Sequence, residues 1–348
     1  MKPMTVKIML KGSPEEIGRQ RAKELRSSIL FSMQHLMIGH GRETAQCVAW
    51  GRKWKADVAK KFPVLMAEIE AESGELGLDG DLVFAYNYRS WNAMTRHSSH
   101  PLACYNIFFL DRVRGPLLGG VVEDGPPFYL VEEIRPEKGI AHFSVTLAGT
   151  CWTVRGFNAE GLAVGQVSAF PGDYCREGAI YRWGTEDYSR GYYILRTALQ
   201  TMATAREAAA FCAKHDALGT FMFVDKKGEA IVVEKAGRLT AVRTCKKDVM
   251  VSGGHYCEDL VRELLKEGVV PLPPAASLVR QRAVFRMTAK QKPTLSLMKR
   301  ILTSHREEEG TFCSDGNQMI TIGVPAEGKF LVAGYIPCKS GFTEYTLK

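Results

Sequence analysis

The chain has 348 residues, of which 45% are hydrophobic and 24% charged, a composition typical of a globular protein. Its net charge of +8 comes from 46 basic and 38 acidic residues. Basic residues cluster over 52–55, 60–61 and 280–300, but no aromatic-interleaved motif for binding nucleic acid accompanies them. We therefore expect solvated helix faces and no nucleic-acid partner.

The sequence has no apolar segment that approaches the roughly 20 residues needed to cross a bilayer. The apolar stretch at the amino terminus is too short and too interrupted for a signal peptide. The nine cysteines are scattered and include no C-x-x-C pair, which indicates neither a disulfide framework nor a zinc site. We expect a cytoplasmic protein with no membrane partner, no cofactor and no metal.

The first hundred residues are predicted to be mostly helical. Ser13, Pro14 and Glu16 form a capping box with proline at the first helical position, which predicts a helix from there to about Leu36. Further helices are predicted over 50–62, ended by Pro63, and over 65–73, ended by Gly74. The glycines at 77 and 80 indicate a turn after them.

From residue 105 onward, short apolar segments separated by turn residues predict strands. These segments are 106–110, 117–122, 128–134, 142–148, 150–158 and 162–168, which we expect to form an antiparallel meander. Later segments predict helices over 192–202, 205–215, 277–287 and 294–303, and strands over 220–224, 230–234, 318–321 and 329–332. This order predicts an α+β fold, and nothing in the sequence requires a second domain.

Cys104 is the most informative residue, because Ala103 and this thiol lead directly into an apolar strand. If the Ala103–Cys104 bond were cut, Cys104 would carry both a thiol and an α-amine, whose pKa is roughly 7.7–8.0. The nucleophile and its base would then belong to one residue. A cysteine in an apolar strand is otherwise a small core residue, so the surrounding motifs must decide.

Several separated segments match the motifs of one known family. They are 62–74 with 82–87, Gly156-Phe-Asn-Ala-Glu-Gly-Leu162, the hairpin 224–234, Ser277-Leu-Val-Arg280 and the closing strands 334–345. In their order and spacing, with Cys104 at the matching place, they resemble the Ntn hydrolases typified by isopenicillin N acyltransferase.

The resemblance implies a four-layer αββα Ntn-hydrolase-like sandwich. A helical propeptide-like region over 1–103 would pack on a core over 104–348, within one structural domain. The resemblance also implies self-cleavage before Cys104 and a cysteine amidohydrolase or acyltransferase that works through a thioester at Cys104. The expected partner is a small-molecule acyl donor or N-acyl amide, with an acyl-CoA as one candidate; the oligomeric state is left open.

The same resemblance assigns further residues to the site. Arg280 would hold a carboxylate or orient the amine, and Glu123 or Asp124 would pair with the α-ammonium or with Arg280. For Asp124 we favour a role in beginning the turn at 123–127. Substrate binding is assigned to Ser168, Tyr105, His255 and Ser277. Ser168 or a backbone N–H would donate to the oxyanion, and His255 has a purely structural hydrogen bond as its alternative.

Two departures from the family pattern keep an alternative function open. The stretch expected to read G-R-N-x-D is Gly119-Gly-Val-Val-Glu123, and Gly254 stands where an oxyanion asparagine should precede the histidine. The alternative is an unprocessed, catalytically altered relative that serves as a small-molecule-binding or non-classical acyl-transfer protein. It predicts an intact chain and an unreactive Cys104.

A third interpretation places the nucleophile elsewhere. Cys257 or Cys151 could pair with a distant histidine in a conventional cysteine hydrolase. The neighbouring Trp152, however, makes Cys151 resemble a core residue.

Overall fold

The computed structural model describes residues 6–37, 42–88, 104–123, 129–169, 185–271, 275–314, 317–335 and 337–347. Ala103 and Asp124, both named above, lie outside these ranges. No helix in the described part of the chain is both long enough and apolar enough to cross a membrane.

The helices of the described ranges lie before and after a block of strands. They are α1 (Pro14–Leu36), α2 (Arg42–Lys61), α3 (Pro63–Leu76), α4 (Gly80–Asn87), α5 (Thr185–Thr201), α6 (Ala205–Lys214), α7 (Glu258–Lys266), α8 (Ala275–Lys290), α9 (Leu295–Leu302) and α10 (Pro337–Ser340). The predicted capping box is confirmed, because the Glu16 N–H donates to Ser13 Oγ and the Ser13 N–H donates to the Glu16 carboxylate.

The predicted end of the third helix at Gly74 is wrong. Helix α3 continues through Gly74 and ends at Gly77, whose φ of 68° lies in the left-handed region. That conformation is open to glycine at little steric cost, and it turns the chain away from the helix axis. The turn that follows is short, because Asp79 accepts from the N–H groups of Asp81 and Leu82 and so begins α4.

The strands form two sheets. They are β1 (Lys7–Gly12), β2 (Tyr105–Asp111), β3 (Gly115–Glu123), β4 (Tyr129–Pro136), β5 (His142–Leu147), β6 (Arg155–Asn158), β7 (Leu162–Val167), β8 (Ala217–Asp225), β9 (Ala230–Gly237), β10 (Leu239–Thr244), β11 (Val249–Ser252), β12 (Asn317–Val324), β13 (Lys329–Ala333) and β14 (Thr343–Thr346). The larger sheet has the order β1-β4-β5-β6-β7-β8-β9-β10, and the smaller one the order β11-β2-β3-β12-β13-β14. All described pairs are antiparallel except β1 with β4. The chain is therefore α+β, as expected.

The single meander expected between residues 106 and 168 is instead divided between the two sheets. Strands β2 and β3 belong to the smaller sheet, whereas β4 to β7 belong to the larger one. The local pattern could not show this division, because β3 and β5 are each buried along nearly their whole length, as inner strands of stacked sheets are.

The sheets face each other across an aromatic contact. The ring of Phe330 on β13 stacks on Phe143 of β5 and Phe157 of β6, with centroid distances of 5.8 and 6.4 Å. Helices α5 and α6 contact strands of the larger sheet, and α8 and α9 contact strands of the smaller one. The start of β2 thus lies inside a stack of sheets and helices.

Candidate active site

Cys104 lies directly before β2 and is half-buried. In the β2–β3 register Tyr105 lies opposite Val121, so the beginning of β2 meets the end of β3. Cys104 Sγ accepts from the Glu123 N–H at 3.2 Å and donates to the Glu123 carbonyl at 3.3 Å. The sheet itself therefore holds a backbone donor against the thiol.

Glu123 and Arg280 form a buried ion pair beside this contact. Arg280 Nη2 and Nη1 donate to the two Glu123 carboxylate oxygens at 2.7 and 3.0 Å, and the side chains are only 5% and 10% exposed. Ser314 Oγ donates to the same carboxylate at 3.3 Å, and Arg280 also donates to the Thr311 carbonyl at 2.9 Å. The sequence left open whether Glu123 pairs with Arg280 or with the α-ammonium of Cys104, and the structure shows the pair with Arg280. The pair holds the end of β3, and with it the Glu123 N–H, in place.

Arg155 is a further cation near Cys104, and sequence reasoning missed it. It lies on β6 in the opposite sheet and is 1% exposed. Its Nη2 donates to the carbonyls of Tyr105 and Val121, at 2.7 and 3.0 Å. Burial lowers the pKa of Arg155 to about 10, while negative charge at Cys104 raises it. The guanidinium and the thiol are therefore electrostatically coupled.

Two glycines make room for this guanidinium. A Cβ at Gly120 would lie 2.1 Å from Arg155 Nη1, and one at Gly165 would lie 2.8 Å from the same atom. Gly120 is the position where the family pattern has an arginine. The space beside Gly120 is occupied by the Arg155 guanidinium, which reaches across from β6. The only sign in the sequence is a pair of glycines, whose spatial neighbour the sequence does not reveal.

His255 and Ser277 form a second pair at the beginning of α8. His255 Nδ1 lies 2.7 Å from Ser277 Oγ, and Ser277 is fully buried one helical turn before Arg280. Burial lowers the pKa of His255, while nearby Glu234 acts in the opposite direction. A Cβ at Gly253 would lie 2.2 Å from Ser277 Oγ, so the loop before His255 approaches α8 closely. Ser277 thus sits on the helix that carries Arg280, and His255 contacts it from the loop after β11.

The remaining two predicted binding residues lie in different surroundings. Tyr105 is fully buried, its ring packs edge-on against Phe312 at 5.5 Å, and burial raises its pKa. Ser168 is half-buried just beyond β7. Strand β7 is adjacent to the beginning of β2, because Asn106 Nδ2 donates to the Gly165 carbonyl at 3.1 Å. Substrate binding by these residues stays a prediction.

The structure offers little support for a nucleophile at Cys151 or Cys257. Burial raises the pKa of both thiols, well above the ordinary range for Cys151, and a raised pKa disfavours the reactive thiolate. Among the residues that the structure describes, neither thiol is hydrogen-bonded to a histidine.

The fold is similar to several solved structures at low sequence identity. One is the Caenorhabditis elegans ortholog of N-acylethanolamine-hydrolyzing acid amidase, with 12% identity and a TM-score of 0.49 over 70% of this chain and 100% of that one. Another is conjugated bile acid hydrolase from Clostridium perfringens, with 12% identity and a TM-score of 0.43 over 70% and 97%. Penicillin V acylase from Agrobacterium tumefaciens has 12% identity and a TM-score of 0.41 over 66% and 83%.

By name, these three neighbours are an acid amidase, a bile acid hydrolase and a penicillin acylase. At these identities and TM-scores, their activities are not transferable to this chain. No protein-family model matches the chain, and no curated protein matches it.

Proposed function

We propose that the chain is an Ntn-type cysteine amidohydrolase or acyltransferase, which acts on a linear amide or acyl thioester after self-cleavage at Ala103–Cys104. The observation that carries this proposal is a half-buried thiol at the beginning of an inner strand, held against a backbone N–H, with a buried guanidinium that donates to the carbonyl of the next residue, Tyr105. Residues 1–103 would be the propeptide-like region, and 104–348 the core of a four-layer αββα sandwich. The substrate would be a small N-acyl amide or acyl donor, an acyl-CoA among the candidates, in the cytoplasm.

Self-cleavage would begin with attack of Cys104 Sγ on the carbonyl carbon of Ala103. The thiol proton passes to the departing amide nitrogen, the peptide C–N bond breaks, a thioester forms and the α-amine of Cys104 is released. Water then hydrolyses the thioester, which leaves a carboxylate at Ala103 and a thiol with an adjacent amine at Cys104. That amine, with a pKa of roughly 7.7–8.0, is the base for later turnovers.

In turnover, the α-amine takes the thiol proton and Sγ attacks the acyl carbon of the substrate. The amine then returns the proton to the leaving amine or thiol, and an acyl thioester remains on Cys104. Water or a second amine accepts the acyl group and regenerates the thiol. Arg155 and the Glu123 N–H favour negative charge on sulfur, and a backbone N–H or Ser168 would donate to the oxyanion.

One observation also fits the alternative of an unprocessed binding protein. Gly254 is buried and brings no side-chain donor to the place where the family pattern has asparagine. Loss of one oxyanion donor typically lowers the rate by roughly 10²–10³. The alternative therefore predicts an intact chain with an inert Cys104.

The masses of the intact wild type, Cys104→Ala and Cys257→Ala proteins separate the two functions. We expect two fragments, split immediately before Cys104, in the wild type and in the Cys257→Ala control. Cys104→Ala should show one full-length mass, because the attacking sulfur is gone. A single full-length mass in all three proteins would rule out self-cleavage and favour the binding protein.

A further inference from the structure

His305, Cys313 and Cys338 meet outside the Cys104 site. Their ligand atoms, one imidazole nitrogen and two sulfurs, all lie within 4.8 Å of one another. His305 Nε2 and Cys338 Sγ are 3.0 Å apart. His305 and Cys313 lie in the connection between α9 and β12, and Cys338 lies on the short helix α10. No local spacing in the sequence could have revealed this cluster.

The backbone around the cluster is well defined. The Cys313 N–H donates to the Ser304 carbonyl at 3.0 Å, which holds the two ends of the intervening loop together. That loop turns through the 3₁₀ helix Glu307–Glu309 and through Gly310, whose φ is 89°. Cys313 is fully buried, whereas His305 and Cys338 are exposed. One ligand is therefore fixed in the protein, and two are reachable from solvent.

We propose that His305, Cys313 and Cys338 bind a Zn²⁺ ion. Thiolate and imidazole are the ligands that zinc prefers, whereas Mg²⁺ and Ca²⁺ prefer oxygen. Two thiolates on one tetrahedral zinc lie about 3.8 Å apart, given Zn–S bonds of about 2.3 Å. The three ligand atoms now lie within 4.8 Å of one another, and rotation of the exposed His305 and Cys338 side chains would bring them to the spacing that zinc requires. Binding releases the two thiol protons, so the charges of the ion and the thiolates cancel, and water fills the fourth position.

The bound ion would support the neighbouring ion pair. Cys313 belongs to the segment 310–314, in which the carbonyls of Gly310 and Thr311 accept from Arg280 at 3.4 and 2.9 Å. Ser314 in the same segment donates to Glu123. An ion that ties Cys313 to Cys338 therefore anchors this segment to α10. The arrangement does not depend on Cys104 chemistry, so the zinc site stands whether or not the proposed activity is found.

The test is a titration of the reduced, metal-free, full-length protein with Co²⁺, a spectroscopic substitute for Zn²⁺. The variants are Cys338→Ala and His305→Ala, both at exposed positions where folding should be preserved. Cys245→Ala, at a half-exposed cysteine elsewhere, is the matched control. We expect the wild type and the control to show thiolate-to-cobalt charge transfer and intense tetrahedral visible bands at one equivalent. Loss of a ligand should weaken the affinity at least about tenfold in both site variants.

A second readout uses Zn²⁺ itself. Ligand that binds only the folded state raises the melting temperature, so Zn²⁺ should stabilise the wild type and the control but not Cys338→Ala. Zn²⁺ should also protect Cys338 from alkylation in the wild type. Equal Co²⁺ affinity in the wild type and Cys338→Ala would overturn the proposal. A wild type without a thiolate–cobalt band would also overturn the proposal. This includes a wild type in which Cys313 and Cys338 form a disulfide under reducing conditions.

Discussion

The guanidinium of Arg155 is buried, and no carboxylate of the described residues forms an ion pair with it. Its Nη2 is bonded to two carbonyls, but its Nε has no hydrogen-bond partner among the described residues. A buried charge is costly unless it is paired, which explains why burial lowers the Arg155 pKa to about 10. Negative charge at Cys104 acts in the opposite direction, so a thiolate there would complete the pairing.

Replacement of Arg155 by methionine should therefore slow alkylation of Cys104. We expect a decrease of about tenfold or more at neutral pH, because a nearby opposite charge typically shifts ionisation by about 1–3 pKa units. The rate is measured by peptide mapping after timed treatment with iodoacetamide, with the rate of the half-exposed Cys245 in the same sample as the internal reference.

Arg155→Lys is the matched variant, since it keeps the charge but loses the planar donor geometry. It should recover part of the Cys104 rate. If Arg155→Met and Arg155→Lys lost reactivity equally while both remained folded, the charge of Arg155 would not be the cause. An unchanged rate in Arg155→Met would contradict the coupling itself.

The residues of the site differ in how far the sequence could reveal them. Glu123 and Arg280 were identified by resemblance to motifs, and the structure places them in contact. Arg155 could not be found in this way, because it reaches Cys104 from the opposite sheet and its position depends on how the sheets stack. The His305–Cys313–Cys338 cluster was missed for the same reason: its ligands converge only after the loops around β12 and β13 have folded.

Among the secondary-structure elements, α1, α3, α5 and β4 share a buried cluster of charges. Arg21 on α1 binds the Glu132 carboxylate through two hydrogen bonds of 2.8 and 3.0 Å, and it donates to Glu68 at 2.9 Å. Arg196 on α5 also donates to Glu68, at 2.9 Å. Glu72 lies 3.5 Å from Arg21 Nη1, as an ion pair without a hydrogen bond. Two arginines thus face three carboxylates, and Glu72 is the one left without a hydrogen bond among the described residues.

Glu72 should make stability depend on pH. Burial raises its pKa from 4.5 to about 8, although Arg21 acts in the opposite direction. Between these values the folded state holds a proton that the unfolded state has lost. Stability should therefore fall as pH rises through this window, by up to about 1.4 kcal/mol per pH unit.

Glu72→Gln resembles the protonated carboxyl and should remove much of this slope. Urea unfolding between about pH 5 and pH 8 measures the slope. Glu75→Gln, on the same helix beside the exposed Lys23, is the control and should retain it. If the slope of Glu72→Gln equalled that of the wild type, Glu72 would not hold the proton.

Elements with strong local signals were predicted well. The capping box of α1 and the turn between β8 and β9 both act through residues adjacent in sequence, and both are confirmed. Strands β1, β10 and β11 were missed. Strand β11 has only four residues, and it exists because β2 offers a partner. Strand β1 similarly depends on its partner β4, which is far away in the chain. The short apolar pattern of β1 therefore does not predict a strand by itself.

At the scale of the whole molecule, the residues before Cys104 are integrated into the fold by more than helix packing. Strand β1 adds an edge to the larger sheet through a parallel register from Lys7 opposite Val131 to Gly12 opposite Pro136. The Arg21–Glu132 ion pair crosses between the two parts in a fully buried place. A single cluster of buried apolar side chains also includes residues from both parts.

Cleavage before Cys104 should therefore leave the two pieces associated. An inserted recognition site for a specific protease immediately before Cys104 allows this test even if the chain does not cut itself. After complete cutting, size-exclusion chromatography with light scattering should give one particle with the mass of the whole chain, and it should separate only in denaturant. Arg21→Met should lower the urea concentration at which the pieces separate, because it leaves Glu132 buried without its partner, a loss of about 3–5 kcal/mol. The exposed pair of Arg112 and Asp248 provides the control, since Arg112→Met removes a surface contact expected to contribute at most about 1 kcal/mol. Two separate native particles after cutting would show that β1 and the buried ion pair do not hold the parts together.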